Sequence, residues 1–398
     1  MIRDWGLAIS YPLSTNHYPL KKAVGIIAEY NPFHAGHAYQ ISQIKKFTDA
    51  GIVAIMSGSF TQRGTPAILD KWTRAKLAVM GGVDLVLELP FTAAVRSAQD
   101  FARGGVNLLS RLGIIDTLAF GAEVSDLEKL KLAASTFSKE SFQQELKSAM
   151  ATGKSYAAAV TEILSEVAQI DAGQPNTILA IEYLRALPKT IQPLLIPRGE
   201  IKSSATEIRR LLYQKNVAWQ KISVPPAVLD ELKSTELVRE DFLLRPILAK
   251  ILTSNLENLR EIYGMAEGIE FKLIESARRA NTFDELITGI VNRRFPISRV
   301  KRLLLHFLIG FTKEISGDYA RVLACNERGR ALLKQIRAVP IVTKVAQHLT
   351  SKEILSGRIS EPYKKNLAFD LRATDLREIL FERPNFSGKD FLTPPYFK

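Results

Sequence analysis

The sequence is poor in cysteine. A single one, Cys325, stands among 398 residues, which rules out an intramolecular disulfide and a cysteine-built zinc site. Its setting, Arg321-Val322-Leu323-Ala324-Cys325, reads as a buried small hydrophobe. Long apolar runs are missing too. No stretch approaches the roughly 18–20 apolar residues of a membrane span, and no apolar signal core opens the chain. These gaps point to a soluble cytoplasmic protein. Repeats of fixed period and low-complexity tracts are also missing, which argues against a solenoid or a disordered chain. Histidine is scarce, with five in all, so two of them close together carry information.

What is present is ordinary globular material, 46% hydrophobic and 24% charged, enough for two or three domains with cores of their own. The net charge of +13 is unevenly spread. Residues 201–398 hold 34 basic against 23 acidic side chains, and residues 1–200 hold 20 against 18. A basic second half suggests a polyanionic partner, either nucleic acid or an anionic surface. A solvated face kept for solubility is the competing reading.

Residues 1–21 form a polar, turn-rich extension. From Ala23 onward, apolar runs alternate with helical patterns. Ala23–Ala28, Gly51–Met56, Val83–Leu89 and Ile115–Phe120 read as buried strands, with helices expected from His34 to Phe47, over 70–80 and over 97–110. This spacing predicts a parallel, doubly wound α/β sheet covered on both faces. Residues 126–170 look helical, a helix opens at Pro175-Asn176, and Leu194-Leu195-Ile196 is a short last strand. Pro225-Pro226 marks a domain boundary. Beyond it the pattern is amphipathic helix with almost no strand. The expected division is 22–224 for an α/β domain and 225–398 for a basic helical one.

The strongest chemical signal is His34-Ala35-Gly36-His37, after a strand and opening a helix. Residues three apart share one helix face. Both imidazoles can therefore meet one anion at a helix N-terminus, where free N–H groups and the macrodipole favour negative charge. Two such donors beside an α-phosphate stabilise the charge that develops as pyrophosphate leaves. Gly36 would let a flat ligand approach the backbone. A metal site is the alternative, but no nearby carboxylate pair completes a ligand set. A second signal is Lys202-Ser203-Ser204-Ala205-Thr206-Glu207-Ile208-Arg209-Arg210. Hydroxyls at a helix start, followed by cations one turn later, suit an anion, and they also suit an ordinary N-cap.

HxGH early in a parallel sheet, with a late Ser/Thr-rich Ile-Arg element, resembles the nucleotidyltransferase superfamily. The longer run from Ala23 to His37 is similar to the tRNA(Met) cytidine acetate ligases. So are Ser57-Gly58-Ser59-Phe60-Thr61-Gln62-Arg63-Gly64, Asp70-Lys71-Trp72-Thr73-Arg74-Ala75, Val83–Pro90, Phe120–Glu123, Pro175–Leu179, Ser204–Arg209, Arg299–His306 and Arg321–Gly329. The likeness spans about residues 22 to 350. One departure is Ala35, where that family commonly carries Asn.

The resemblance implies a Rossmann-like sheet of the HxGH nucleotidyltransferase type, followed by a mainly α-helical region. It implies an enzyme that joins acetate to ATP, releases pyrophosphate, and moves the acetyl group to N4 of the wobble cytidine of elongator tRNA(Met). The implied ATP site is Ile27, Ala28, Glu29, Tyr30, Asn31, Pro32, Phe33, His34, Ala35, Gly36, His37, Ala38, Tyr39 and Gln40, with Gly121, Asn176 and Arg198. Ser204 and Thr206 join it as phosphate candidates, and His34 and His37 are the catalytic pair. Mg²⁺ is expected to accompany ATP. No stable protein partner is implied. Asp70, Lys71 and Arg74 share a helix face and read equally as functional groups or as a surface ion pair.

Between Arg293 and Lys344 lie twelve basic residues: Arg293, Arg294, Arg299, Lys301, Arg302, Lys313, Arg321, Arg328, Arg330, Lys334, Arg337 and Lys344. Only Glu314, Asp318 and Glu327 oppose them. Arg293, Arg294, Arg299, Lys301, Arg302, Arg328 and Arg330 are the RNA-binding candidates. Phe295, Phe307, Phe311 and Tyr319 interleave, as stacking platforms or, for Phe307 and Phe311 above all, as core.

Overall fold

The structure, a computed structural model, describes residues 23–197, 204–313, 317–385 and 387–398. The extension at 1–21 and Arg198 lie outside the described residues. Five strands form where the apolar runs predict them: β1 (Ala23–Ala28), β2 (Gly51–Ser57), β3 (Leu85–Leu89), β4 (Ile115–Ala122) and β5 (Gln192–Pro197). They run parallel in the order β5-β4-β1-β2-β3.

Every residue of β2 and β3 is buried, because helices cover both faces. Ile52, Ala54 and Met56 point to one core, with α1 (Ala35–Phe47) and α2 (Lys71–Met80). Val53 and Ile55 point to the other, with α3 (Ala98–Arg111) and α4 (Pro175–Ala186). The period of two along a strand divides the two cores. Helix α5 (Ala205–Leu212) follows β5 and packs Ile208, Leu211 and Leu212 into the first core. The helical stretch at 126–170 resolves into Leu127–Thr136, Glu140–Ala151 and Tyr156–Ala168.

Beyond Pro225 the expectation of almost no strand is corrected. β6 (Ala320–Cys325) lies antiparallel to β3, with Leu85 opposite Cys325 and Glu88 opposite Arg321. β7 (Ile341–Val342) and β8 (Tyr396–Phe397) pair with β6 and complete an eight-stranded sheet. The β6 run is short and broken by Arg321, and so short a run cannot be told from buried helix by periodicity. The rest of the second half is mainly helical. It includes α6 (Ile297–Ile309), α7 (Glu327–Leu333), α8 (Pro362–Glu378) and the short α9 (Lys389–Leu392). One hydrophobic cluster holds Leu87 from the first half together with Leu303, Phe311 and Val322 from the second. The two halves therefore share a sheet and a core. Among the described residues no helix is long and apolar enough to cross a membrane.

The order β4-β1-β2 contains a reversal. From β1 the chain winds outward to β2 and β3, then returns to the far side as β4 and β5. Ligands of open parallel sheets sit at such a switch point, beyond the carboxyl ends of the strands. Here the opening is visible in the ladder itself. Pairing between β1 and β4 stops at Gly25 opposite Leu118, although both strands run on.

Candidate active site

Beyond the diverging ends of β1 and β4 lies a cleft of about 1430 Å³. Of the predicted run from Ile27 to Gln40, it is lined by Ile27, Ala28, Glu29, Tyr30, Asn31, His34, Gly36, His37, Tyr39 and Gln40. Pro32, Phe33, Ala35 and Ala38 are not on its wall. Phe33 is buried against Tyr30, with ring centroids 5.1 Å apart, and Ala38 packs on the core beneath α1. Gly121, Asn176, Ser204 and Thr206 also line the cleft. Segments far apart in sequence thus meet around one space.

His34 is the N-cap of α1. Its Nδ1 accepts the Gly36 N–H at 3.0 Å, and Nδ1 of His37 accepts the His34 N–H at 3.2 Å. This is a capping box built from two histidines in place of the usual hydroxyl and carboxylate. An imidazole that accepts at Nδ1 and is neutral carries its proton on Nε2. The cap therefore fixes the tautomer of both rings and makes each Nε2 a donor. The rings stack with centroids 3.8 Å apart and 24° between planes, so the two donors act as a pair. Tyr30 meets His37 edge-on at 4.9 Å. Burial pushes the Tyr30 phenol well above its ordinary range, so it stays neutral.

Gly36, which lines the cleft, has a second reason to be glycine. A Cβ there would lie 2.8 Å from Cε1 of His34. The glycine clears room for the capping imidazole itself.

Four carbonyl groups hold the loop after β1 to the rest of the site through one side chain. Arg74, fully buried on α2, donates to the carbonyls of Leu69 (3.1 Å), Glu29 (2.6 Å), Ser57 (3.1 Å) and Gly58. Burial pulls its guanidinium down to about 10. The surface ion-pair reading of Asp70, Lys71 and Arg74 is overturned. Asp70 caps α2 by accepting the Thr73 N–H at 2.8 Å. Lys71 is fully buried between Glu88 (2.9 Å) and Asp390 (2.8 Å).

Across the cleft, Glu123 at the end of β4 accepts from the Asn176 side chain (2.6 Å), the Thr177 N–H (2.8 Å) and the Thr177 hydroxyl (3.1 Å). Burial alone would raise this carboxyl, but the bonds from Asn176 and Thr177 hold it below its ordinary value. Glu123 thereby caps α4 and turns Asn176 toward the β4 end. Ser204 caps α5 by accepting the Glu207 N–H at 3.2 Å. Arg209, one turn later, donates to the Asn31 carbonyl (2.6 Å) and the Thr206 hydroxyl (3.2 Å). Arg209, one of the cations expected one turn after the Ser/Thr helix start, lines the cleft, and so do Arg63, Gln62 and Glu123, which the sequence offered only as members of longer motifs. Their motifs were visible, but which member of each faces inward depends on the tertiary fold.

Among the described residues no group of three or more His, Cys, Asp or Glu side chains can hold a metal ion. Three of the cleft carboxylates have partners: Glu123 on α4, Glu240 with Lys301 at 2.8 Å and Asp241 with Arg239 at 2.7 Å.

The basic candidates fall into two regions. On α6, Arg302 donates to the Gln62 carbonyl at 3.4 Å, and its backbone packs on Gly64 of the same loop. Burial lowers the Arg302 guanidinium to about 10. Lys301 pairs with Glu240 on the cleft wall. The start of α6 is thus the rim of the cleft. Arg299 bonds the Arg294 carbonyl at 2.8 Å and lies over Phe295. Arg294 pairs with Glu267, and Arg293 is exposed beside Gly153. The second region is elsewhere. Arg328 on α7 bonds Asp49, which precedes β2, and Arg330 on the same helix lies over Phe397. This places both at the amino ends of the parallel strands, the edge opposite the cleft.

Arg321, one of the twelve basic residues, is buried between Glu88 (3.4 Å) and Asp390 (2.6 Å), so it is not part of any basic surface. Phe295, Phe307, Phe311 and Tyr319 are all buried: the core reading holds for Phe307 and Phe311, and the stacking reading fails for Phe295 and Tyr319.

The family profile described as HIGH Nucleotidyl Transferase matches residues 21–390. A tRNA(Met) cytidine acetate ligase of Caldanaerobacter subterraneus subsp. tengcongensis is 36% identical, with 94% of this chain and 99% of that protein covered. The ligase of Syntrophomonas wolfei subsp. wolfei is 34% identical over 94% and 98%. A crystal structure of Thermotoga maritima TmcAL bound with alpha-thio ATP superposes with a TM-score of 0.84 at 28% identity, covering 94% of this chain and 99% of that one. With the paired histidines at the switch point, these likenesses place the chain in the HIGH nucleotidyl transferase family, among the tRNA(Met) cytidine acetate ligases.

Proposed function

We propose that this protein is an ATP-dependent acetate ligase that acetylates N4 of the wobble cytidine of elongator tRNA(Met). The observation that carries the reading is the double-histidine cap. It engages Nδ1 of both rings, which leaves Nε2 as the donor of each, on the wall of a cleft where a helix N-terminus already favours anions. In the first step an acetate oxygen attacks the α-phosphorus of ATP, pyrophosphate leaves, and acetyl-adenylate forms. His34 and His37 stabilise the charge that grows on the phosphate oxygens, a contribution of order 10²–10³ in rate for each such donor. Gly121 and Asn176, at the β4 side, suit the nucleoside; Ser204, Thr206 and Arg209, at the start of α5, suit the phosphates. Magnesium enters with ATP as the complex that the triphosphate makes.

In the second step the amino group of cytidine takes the acetyl group and AMP leaves. The base must be unstacked to reach the adenylate. The cations of α6 at the cleft rim suit the backbone of the anticodon arm. Residues 225–398 serve as the tRNA-gripping part, and the reaction belongs in the cytoplasm with its substrate. A small-molecule nucleotidyltransferase would need the same histidines but not the basic rim. The test is purified protein with ATP, labelled acetate and bulk tRNA. Acid-stable label in tRNA and acetate-dependent pyrophosphate release are expected. Absence of that release, with or without tRNA, would overturn the reading.

A further inference from the structure

One carboxylate in the cleft does not belong beside a triphosphate. Glu29 follows β1 directly and lines the cleft. Its main-chain carbonyl is gripped by Arg74 at 2.6 Å, and its Oε1 accepts the Gln62 N–H at 2.6 Å. The side chain is therefore held from both ends. Its Oε2 has no hydrogen-bond partner among the described residues. An anion fixed beside ATP repels the phosphates and weakens binding, unless it serves a different part of the reaction. Of the other cleft carboxylates, Glu123 and Asp241 are spent on a cap and an ion pair, and Glu240 gives one oxygen to Lys301 while its other oxygen is buried without a partner. Glu29 keeps acceptor capacity open.

Cytosine offers the matching group. Its N4 amino is a donor that Glu and Asp side chains accept, and that amino is the acyl acceptor of the proposed reaction. The loop that fixes Oε1 carries Arg63, an exposed cation on the cleft wall with no hydrogen bond or ion pair among the described residues. The Gln62 carbonyl is held by Arg302 on the rim. Glu29 thus stands where the rim loop meets the end of β1, a few residues before His34 on the same strand-to-helix connection.

We propose that Glu29 is the catalytic residue of the transfer step, receiving the cytidine N4 amino group and taking its proton. This rests on the ligase reading above. The N4 nitrogen attacks the carbonyl carbon of acetyl-adenylate and a C–N bond forms. The bond between that carbon and the phosphate oxygen breaks, and AMP leaves with the electron pair. The N4 proton passes to Oε2 of Glu29 and then to water.

The experiment compares two rates in the full-length protein. One is acetate-dependent exchange of pyrophosphate into ATP, which reads adenylate formation. The other is single-turnover transfer of labelled acetyl to an elongator tRNA(Met) transcript. E29Q is expected to lower the ratio of transfer to exchange by about 100-fold, the scale of a lost general base. E29D, which keeps the carboxylate on a shorter arm, is expected to regain part of the ratio. The thermal midpoint of each variant, measured alongside, reports a folded protein. Transfer and exchange falling by the same factor would overturn the proposal, as would an unchanged ratio. A wild-type protein with neither activity would overturn the ligase reading itself, and this one with it.

Discussion

At the residue scale, His34 has two duties that one substitution can separate. Its Nδ1 caps α1, and its Nε2 is the proposed donor for the nucleotide. Asparagine is also a good N-cap. H34N should therefore keep the thermal midpoint of the wild type, while acetate-dependent pyrophosphate exchange falls about 100-fold or more. H34A should lose exchange similarly and also cost about 1 kcal/mol of stability by denaturant melting. Equal stability loss in both variants would mean that the ring is structural only. H37A should cut exchange by a similar factor and leave tRNA affinity within about twofold in filter binding, since His37 is assigned to ATP alone. Matching losses of both would contradict the division of labour between cleft and rim. The histidine pair was legible because its spacing, its preceding strand and its helix lie in one contiguous run. Glu123 and Gln62 were not, because each acts on a partner contributed by a different segment.

At the element scale, charges that looked exposed in the sequence are the ones that tie the sheet to the C-terminal helices. Lys71 on α2, Glu88 on β3, Arg321 on β6 and Asp390 on α9 form one buried network. Sequence periodicity cannot find such a network, since its members alternate with apolar residues on four separate elements. Next to it, Asp370 on α8 accepts the Phe91 N–H at 2.7 Å and bonds the Tyr319 hydroxyl. Those donors favour the carboxylate, but burial outweighs them. Burial first, and then the charge of Glu88, raise the Asp370 carboxyl from 3.8 to about 8. A carboxyl whose folded value is raised binds its proton more tightly in the native state. Its contribution is full below 3.8 and is lost as pH rises through about 8. D370N, neutral at every pH, should flatten the fall in stability across that window in urea melts at stepped pH. A slope as steep as wild type would show that Asp370 is ionised throughout. The five parallel strands were legible because each is a short apolar run between turn signals. The missed strand, β6, was masked by Arg321, a charge that its buried partners neutralise.

On the scale of the whole molecule, the basic surplus of the second half is not one surface. Arg302 lies at the cleft rim, and Arg299, Arg294 and Arg293 lie on the same helix and the turn that leads into it, whereas Arg328 and Arg330 occupy the opposite edge of the sheet. A tRNA whose anticodon enters the cleft must meet the rim. Neutralising Arg293 and Arg299 should therefore weaken tRNA binding more than neutralising Arg328 and Arg330. Each lost phosphate contact should reduce the slope of log affinity against log salt by about 1. A larger effect at Arg328 and Arg330 would put the RNA on the other edge and remove the rim from the account. Composition revealed the existence of this bias, but not its partition, because the antiparallel return of β6 sends α7 to the far side.

The claim beneath all of this is that two capped imidazoles meet the nucleotide's phosphates at the sheet's switch point. A crystal structure with a non-hydrolysable ATP analogue tests it directly. The account requires a phosphate oxygen within hydrogen-bond reach of Nε2 of both His34 and His37, roughly 2.7–3.2 Å. An analogue bound elsewhere, or one whose phosphates leave both rings uncontacted, would contradict it.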